Sequence, residues 1–218
     1  QGSSRGIGLE YVKQFLYKHN IPNVIACCRD PSNAIELNTI QSQLNSNQKL
    51  HIISLDLNDD NTIINASKEV ESLLNGNSLN CLINCSGILH DKSKEYWPER
   101  SINMIEREWL NISMMTHCIG PAMVIKHFYP LMTPQIKNEY SVIINMSARI
   151  GSISDNNLGG WYSYRSTKAA LNQMTKTMSI ELIKKNIITY CLHPGTVDTD
   201  LSKPFNVRKD KLFDVDNA

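Results

Sequence analysis

The 218 residues are 41% hydrophobic and 20% charged, which suits one globular domain at about 150 residues per domain. Lys and Arg number 22 against 21 Asp and Glu, so the formal charge is +1 and the basic footprint of a nucleic-acid or membrane-surface protein is absent. No apolar run approaches the ~18 residues of a membrane span, and apolar residues recur too regularly for a disordered chain.

The chain opens on Gly2-Ser3-Ser4-Arg5-Gly6-Ile7-Gly8, a glycine-rich turn. Residues 24–28 (Val-Ile-Ala-Cys-Cys) read as a short buried strand, closed by Arg29-Asp30-Pro31. The spacing of Ile35, Leu37, Ile40 and Leu44 predicts a helix over 33–44 with these side chains on one face. A second strand is expected over 51–55. Asp56 to Asp60 then supply turn and cap chemistry for a helix reaching about Leu74. Residues 81–84 read as a third strand, ended by Ser86-Gly87, with a longer loop holding Trp97-Pro98 behind it. A helix from about Met114 to Tyr129, a strand over 142–145, a long helix from about Trp161 to Lys185 and a strand over 187–192 complete the pattern. Strands and helices in alternation, with near-continuous apolar strands, predict an α/β fold of Rossmann type: a doubly wound parallel sheet in three layers. No repeat, linker or composition break divides residues 1–218, so one domain is expected.

The six cysteines are Cys27, Cys28, Cys81, Cys85, Cys118 and Cys191. They lie in apolar runs without a CxxC pair. Buried thiols of a reducing compartment, the cytoplasm, are expected. A zinc site on Cys81, Cys85 and a histidine lacks the second short-spaced ligand pair, and no metal is expected.

Ligands of such sheets bind at the carboxyl ends of the strands. The turn over residues 2–8 lets backbone approach a pyrophosphate, and the helix behind it offers N–H groups and a positive dipole end; a glycine turn without a ligand has the same composition. Tyr164 and Lys168 are more specific, because four-residue spacing puts them on one helix face. A lysine cation beside a phenol favours the phenolate, which would lower the tyrosine from about 10 and make it a proton donor and acceptor near neutrality.

With Asn145-Met146-Ser147-Ala148-Arg149-Ile150-Gly151 before that pair and Pro194-Gly195 after it, the sequence resembles the short-chain dehydrogenase/reductase family over essentially its whole length. The stretches 147–155, 159–164 and 193–199 are similar to its C-factor and sniffer-type carbonyl reductase branch. The resemblance implies an NADP(H)-dependent oxidoreductase passing hydride between the cofactor and a small carbonyl or alcohol. Gly2, Ser4, Arg5, Gly6, Ile7 and Gly8 would form its cofactor turn, with Asp56 and Leu57 by the adenine. Asn84 and Gly87 stand where the family has Asn-Asn-Ala-Gly. Tyr164 and Lys168 match the catalytic pair, and Pro194, Gly195, Val197 and Thr199 the turn that holds the nicotinamide.

Two positions depart from the family. Its catalytic serine usually falls at Ala148, so the carbonyl-orienting role passes to Ser147, with Ser152 or the tyrosine and lysine alone as alternatives. Its helix asparagine, which anchors a water in a proton relay, is replaced by His117; an imidazole here serves as relay or as a satisfied core residue. Arg29 at the end of the strand over 24–28 and Arg5 in the turn favour the 2′-phosphate of NADP, against Asp30 one residue on. The substrate would be set by the loop over 90–107 and the segment after Thr199, with Trp97, Trp161 and Phe205 at an apolar entrance. A dinucleotide-binding signalling or sensor protein with little turnover is the alternative function, and a homodimer or homotetramer the expected assembly. Because the family places a strand before the glycine turn and another after a substrate-covering helix, the chain is also expected to lack the first and last strands. The strands at Val24 and His51 should then have no neighbour joining them to that at Cys81.

Overall fold

In the computed structural model, which describes residues 1–136, 138–205 and 212–215, every strand expected from the sequence forms and every strand pair is parallel. The described residues fall into two compact units, one of Gln1–Asn75 with the residues from Gly195 onward and one of Gly76–Pro194.

The first unit runs α1 (Gly6–Lys13), β1 (Asn23–Cys28), α2 (Ile35–Gln43), β2 (Lys49–Ser54) and α3 (Asp60–Leu74). A π-helical turn, Gln14–Lys18, extends α1. β1 and β2 pair in register, Ala26 against Ile52. Leu9, Val12 and Leu16 bury against Val24, Ala26 and Cys28 of β1 and against Leu37 and Ile40 of α2. Each leucine, isoleucine or valine among them contributes about 1.5–3 kcal/mol when removed from water. Asp59 caps α3 by accepting from the Asn61 N–H at 2.9 Å, as the run of aspartates predicts. Ile35 departs from its expected place: it is 75% exposed while Leu37 and Ile40 are buried. Two residues before Leu37 is the far side of a 3.6-residue turn, so Ile35 cannot share that face.

The second unit holds β3 (Cys81–Asn84), α4 (Arg107–Met114), α5 (Gly120–Phe128), β4 (Ser141–Met146), α6 (Tyr162–Leu182) and β5 (Ile187–Leu192). β4 lies between β3 and β5. Leu82, Ile143 and Ile187 of the strands are buried, as are Trp109, Val124, Ile125, Phe128 and Leu171 of the helices. The helix expected from about Met114 begins seven residues earlier, at Arg107. Its first turn is charged outside, yet Trp109 and Ser113, four apart, face inward.

Between α4 and α5 the backbone widens into a π-helical turn, Met115–Ile119. Pro121 accounts for this, since it has no N–H to give the His117 carbonyl four residues back. The widened turn directs His117 and Cys118 into the interior. Among the described residues β1 and β2 form a two-stranded parallel sheet in the first unit, and β3, β4 and β5 a three-stranded one in the second.

Candidate active site

In the second unit, α6 presents Tyr164 and Lys168 one turn apart. Lys168 is buried, and its Nζ donates to the Met146 carbonyl at the end of β4, 2.7 Å away. The ammonium stands 5.7 Å from the centroid of the Tyr164 ring. Burial dominates both groups: it pushes the Tyr164 phenol up to about 12 and Lys168 down to about 8. This corrects the expectation that the lysine cation lowers the phenol. The cation donates to a carbonyl and stands over the ring, while desolvation favours the neutral form of each group.

Ser147 follows β4, and its N–H donates to the Leu192 carbonyl at 2.8 Å. Its hydroxyl donates to Asn172 Oδ1 at 2.6 Å, so α6 orients it from the turn after Lys168. Ser152, the alternative, pairs instead with Ser154 at 3.2 Å in the loop beyond. At the strand ends Asn84 and Asn145 lie in register, and Asn84 Nδ2 donates to Asn145 Oδ1 at 2.9 Å. Asn145 Nδ2 in turn donates to Thr175 at 2.9 Å. Asn84 is therefore a buried strut between β3 and β4, its own Oδ1 left without a hydrogen-bond partner, and Gly87 is half-buried.

His117 packs edge-on against Tyr164, ring centroids 5.2 Å apart. Its Nε2 accepts the Ile88 N–H at 3.0 Å, which requires the proton on Nδ1. Nδ1 then donates to Thr167 Oγ1 at 3.0 Å, and that hydroxyl donates to the Tyr164 carbonyl at 3.1 Å. Both nitrogens are thus occupied within the protein. Burial first, then the Lys168 charge, hold the imidazole well below its ordinary value, so it stays neutral at physiological pH. The ring braces the turn after β3 against α6, and a relay through it would first break one of these bonds.

The thiols are less uniformly buried than expected: Cys27, Cys28 and Cys118 are, whereas Cys81 is exposed and Cys85 and Cys191 are half-buried. Among the described residues no group of three His, Cys, Asp or Glu side chains is placed to hold a metal.

The first unit carries the glycine turn. The N–H groups of Gly2 and Ser3 donate to the Cys27 carbonyl at 2.9 and 3.3 Å, and the Ser3 hydroxyl to the same oxygen at 2.9 Å. The chain then enters α1 at Gly6, with Arg5 as its exposed cap and Ser4 and Ile7 half-buried. A Cβ on Gly8 would collide with the Gly2 carbonyl. This close approach keeps the cradle open at a helix N-terminus, which fits a pyrophosphate. Gly8→Ala should cost about 1–3 kcal/mol of stability by forcing the backbone apart. An unchanged denaturation midpoint would contradict that packing.

Arg29 is exposed beyond β1. Asp30, the contrary acidic signal, has its carboxyl occupied by Ser32 at 2.6 Å and by Asn33 Nδ2 at 2.6 Å. Hydrogen bonds from these two hold it below the usual carboxylate range. Asp56 likewise folds onto Asn58, accepting from its N–H and Nδ2 at 3.0 Å, and Leu57 is buried. Past Pro194, Val197 is buried and bridges to Phe213, while the Thr199 N–H bonds the Ser202 hydroxyl at 3.2 Å. Of the expected substrate segment after Thr199, residues 206–211 and 216–218 lie outside the described residues.

Sequence reasoning missed Glu99, Thr167 and Asn172. The last two lie on α6 at three and eight residues from Tyr164, so helical spacing could have found them. Glu99 lies in an irregular loop with no periodicity to mark it.

Comparison with known proteins adds to this geometry. The family model described as short chain dehydrogenase matches residues 1–210. An uncharacterized oxidoreductase of Schizosaccharomyces pombe is 30% identical over 201 residues, 92% of this chain and 73% of that one. A carbonyl reductase from chicken fatty liver, solved with NADPH bound, superposes with a TM-score of 0.86 at 32% identity, covering 99% of this chain and 84% of its own. The carbonyl reductase Sniffer of D. melanogaster gives 0.84 at 30% identity with the same coverage. A family model over nearly the whole length and solved folds that superpose on almost all of it lead to one placement: the chain belongs to the short-chain dehydrogenase family.

Proposed function

We propose that the protein is a cytoplasmic NADPH-dependent reductase of small carbonyl compounds. The observation that carries this reading is the pair of half-buried Tyr164 and buried Lys168 at the head of α6, braced by His117 and flanked by Ser147. The NADPH held by the carbonyl reductase from chicken fatty liver supports the cofactor. So do Arg29 and Arg5, since Asp30 is occupied by its own turn. Residues 2–8 would take the pyrophosphate, and Gly195, Val197 and Thr199 the nicotinamide, as in the family. NADPH, when bound, supplies hydride to the carbonyl carbon.

The chain's own residues handle the oxygen and the proton. Tyr164, its phenol raised to about 12, keeps its proton through the neutral range and gives it up as the carbonyl oxygen becomes an alkoxide. Ser147 turns its hydroxyl from Asn172 to the carbonyl oxygen, exchanging one hydrogen bond for another and polarising the bond. Lys168 places a positive charge beside the developing oxyanion and would bind the nicotinamide ribose. His117 acts by position, because both its nitrogens are engaged. All six cysteines are free, which supports a reducing compartment. No helix among the described residues is long and apolar enough to cross a membrane.

NADPH consumption against a panel of aldehydes, ketones and quinones tests the reading. Carbonyl-dependent turnover, faster with NADPH than NADH, is expected; cofactor binding with no turnover on any carbonyl would favour a sensor instead. The pH profile follows from Lys168. With its pKa near 8 the ammonium outnumbers the amine about ten to one at pH 7 and is lost as pH rises through 8. Reduction should therefore decline above pH 8, and Lys168→Arg should move the limb upward. A rate constant to pH 10 in the parent protein would refute this role.

A further inference from the structure

We infer that Glu99 is a positioning residue that latches the substrate-side loop onto the first turn of the catalytic helix, an inference that rests on the carbonyl reductase reading. The loop between β3 and α4 is mostly outward-facing: residues 92–95 and 100–106 are exposed, and Trp97, stacked on His90 at 5.4 Å, is 43% exposed. Leu89, Pro98 and Glu99 are its buried exceptions, Glu99 with 1% of its surface exposed.

Every polar group of Glu99 that faces α6 is used there. Its backbone carbonyl accepts the Trp161 N–H at 2.5 Å. Its two carboxyl oxygens each accept the Ser163 N–H at 3.2 Å, and one also accepts the Ser163 hydroxyl. These are N–H groups of a helix start, which have no partner within the helix, at the end where the dipole favours an acidic side chain.

What the latch holds is unusual backbone. Gly159, Gly160 and Trp161 have φ of +63°, +65° and +54°, three successive left-handed residues, the last a tryptophan. A bulky residue persists there only when its surroundings over-determine it. Glu99 fixes Trp161 from one side, and Arg165 donates to the Gly160 and Gly159 carbonyls at 3.0 and 3.2 Å from the other. The Trp161 ring then meets the Tyr164 ring edge-on at 6.3 Å. Glu99 therefore sets the indole that walls the proton donor, and it makes the loop and the donor move together.

The test compares Glu99→Gln, Glu99→Asp and, as a control, Glu108→Gln, whose parent side chain forms an exposed pair with Lys94. Gln keeps one acceptor oxygen but puts a donor where the second carboxyl oxygen shares the Ser163 N–H, and it removes the negative charge at the helix start, so it should weaken the latch. Amide hydrogen exchange should then rise by about tenfold or more in residues 91–106 and 161–164 together. Turnover should drop about 10–100-fold, as for a slightly misplaced donor. KM for a bulky ketone should rise more than for a small aldehyde, with NADPH affinity within about twofold. Asp should recover part of the loss, and Glu108→Gln, which frees only Lys94 and Tyr96 of the loop, should leave exchange at 161–164 and turnover unchanged.

Exchange that rises in the loop but not at 161–164 would overturn the latch, as would equal losses on both substrates that merely track the folded fraction. If Glu99→Gln does not fold, Ser163→Ala removes one of the same bonds and gives the same comparison. Should the parent reduce no carbonyl at all, the proposed function fails, and the exchange comparison still decides the latch.

Discussion

Tyr164→Phe should lower carbonyl reduction by about 10²–10⁴-fold while changing NADPH affinity by less than about twofold. A positioned general acid contributes a factor of that size, and the substitution removes one oxygen from an otherwise unchanged ring. The hydroxyl is the only part of Tyr164 with acid chemistry. The packing of the ring against His117 and Trp161 is available to phenylalanine as well. The backbone bond from Thr167 to the residue 164 carbonyl also survives. Loss of turnover with retained cofactor binding, read by steady-state kinetics and NADPH fluorescence, would locate the proton donor. A Phe variant that keeps more than about a tenth of the parent rate would show that the proton comes from elsewhere.

Arg29→Asp should erase or reverse the preference for NADPH over NADH. A charge-assisted bond to a phosphate is worth about 1.5–3 kcal/mol, or roughly 10–150-fold in affinity. An aspartate at that point adds repulsion toward the 2′-phosphate and a partner for the 2′-hydroxyl of NADH. Asp30 cannot already play that part while Ser32 and Asn33 occupy its carboxyl. The ratio of kcat/KM for the two cofactors measures the effect. Equal use of NADPH and NADH by the parent protein would contradict the assignment.

The five strands were legible because each is an apolar run bounded by turn residues, and a parallel sheet buries such runs nearly continuously. α3 and α6 were legible from cap chemistry and helical spacing. The start of α4 was not, since Arg107 and Glu108 hide a face whose buried members, Trp109 and Ser113, are an aromatic and a small polar residue. Ile35 failed for a geometric reason: four apolar residues in twelve look like one face until their angles are taken. The tyrosine and lysine pair was legible from spacing alone, but its electrostatics were not. Whether Lys168 lowers the phenol depends on where its ammonium ends, and only the fold shows it on the Met146 carbonyl. The histidine was likewise visible as a departure. Its locked tautomer depends on the Ile88 N–H and the Thr167 hydroxyl, which are 29 and 50 residues away in the chain.

Hydride transfer to a carbonyl carbon with the proton drawn from Tyr164 is tested most directly by isotope tracing. NADPH deuterated at the reactive carbon of its nicotinamide is consumed with an accepted aldehyde, and the alcohol is analysed by mass spectrometry and NMR. One deuterium bound to the former carbonyl carbon is predicted in the parent protein, with no product from Tyr164→Phe beyond the residual expected for a lost general acid. Alcohol carrying no deuterium at that carbon, or labelled alcohol formed as fast by the Phe variant, would contradict the account.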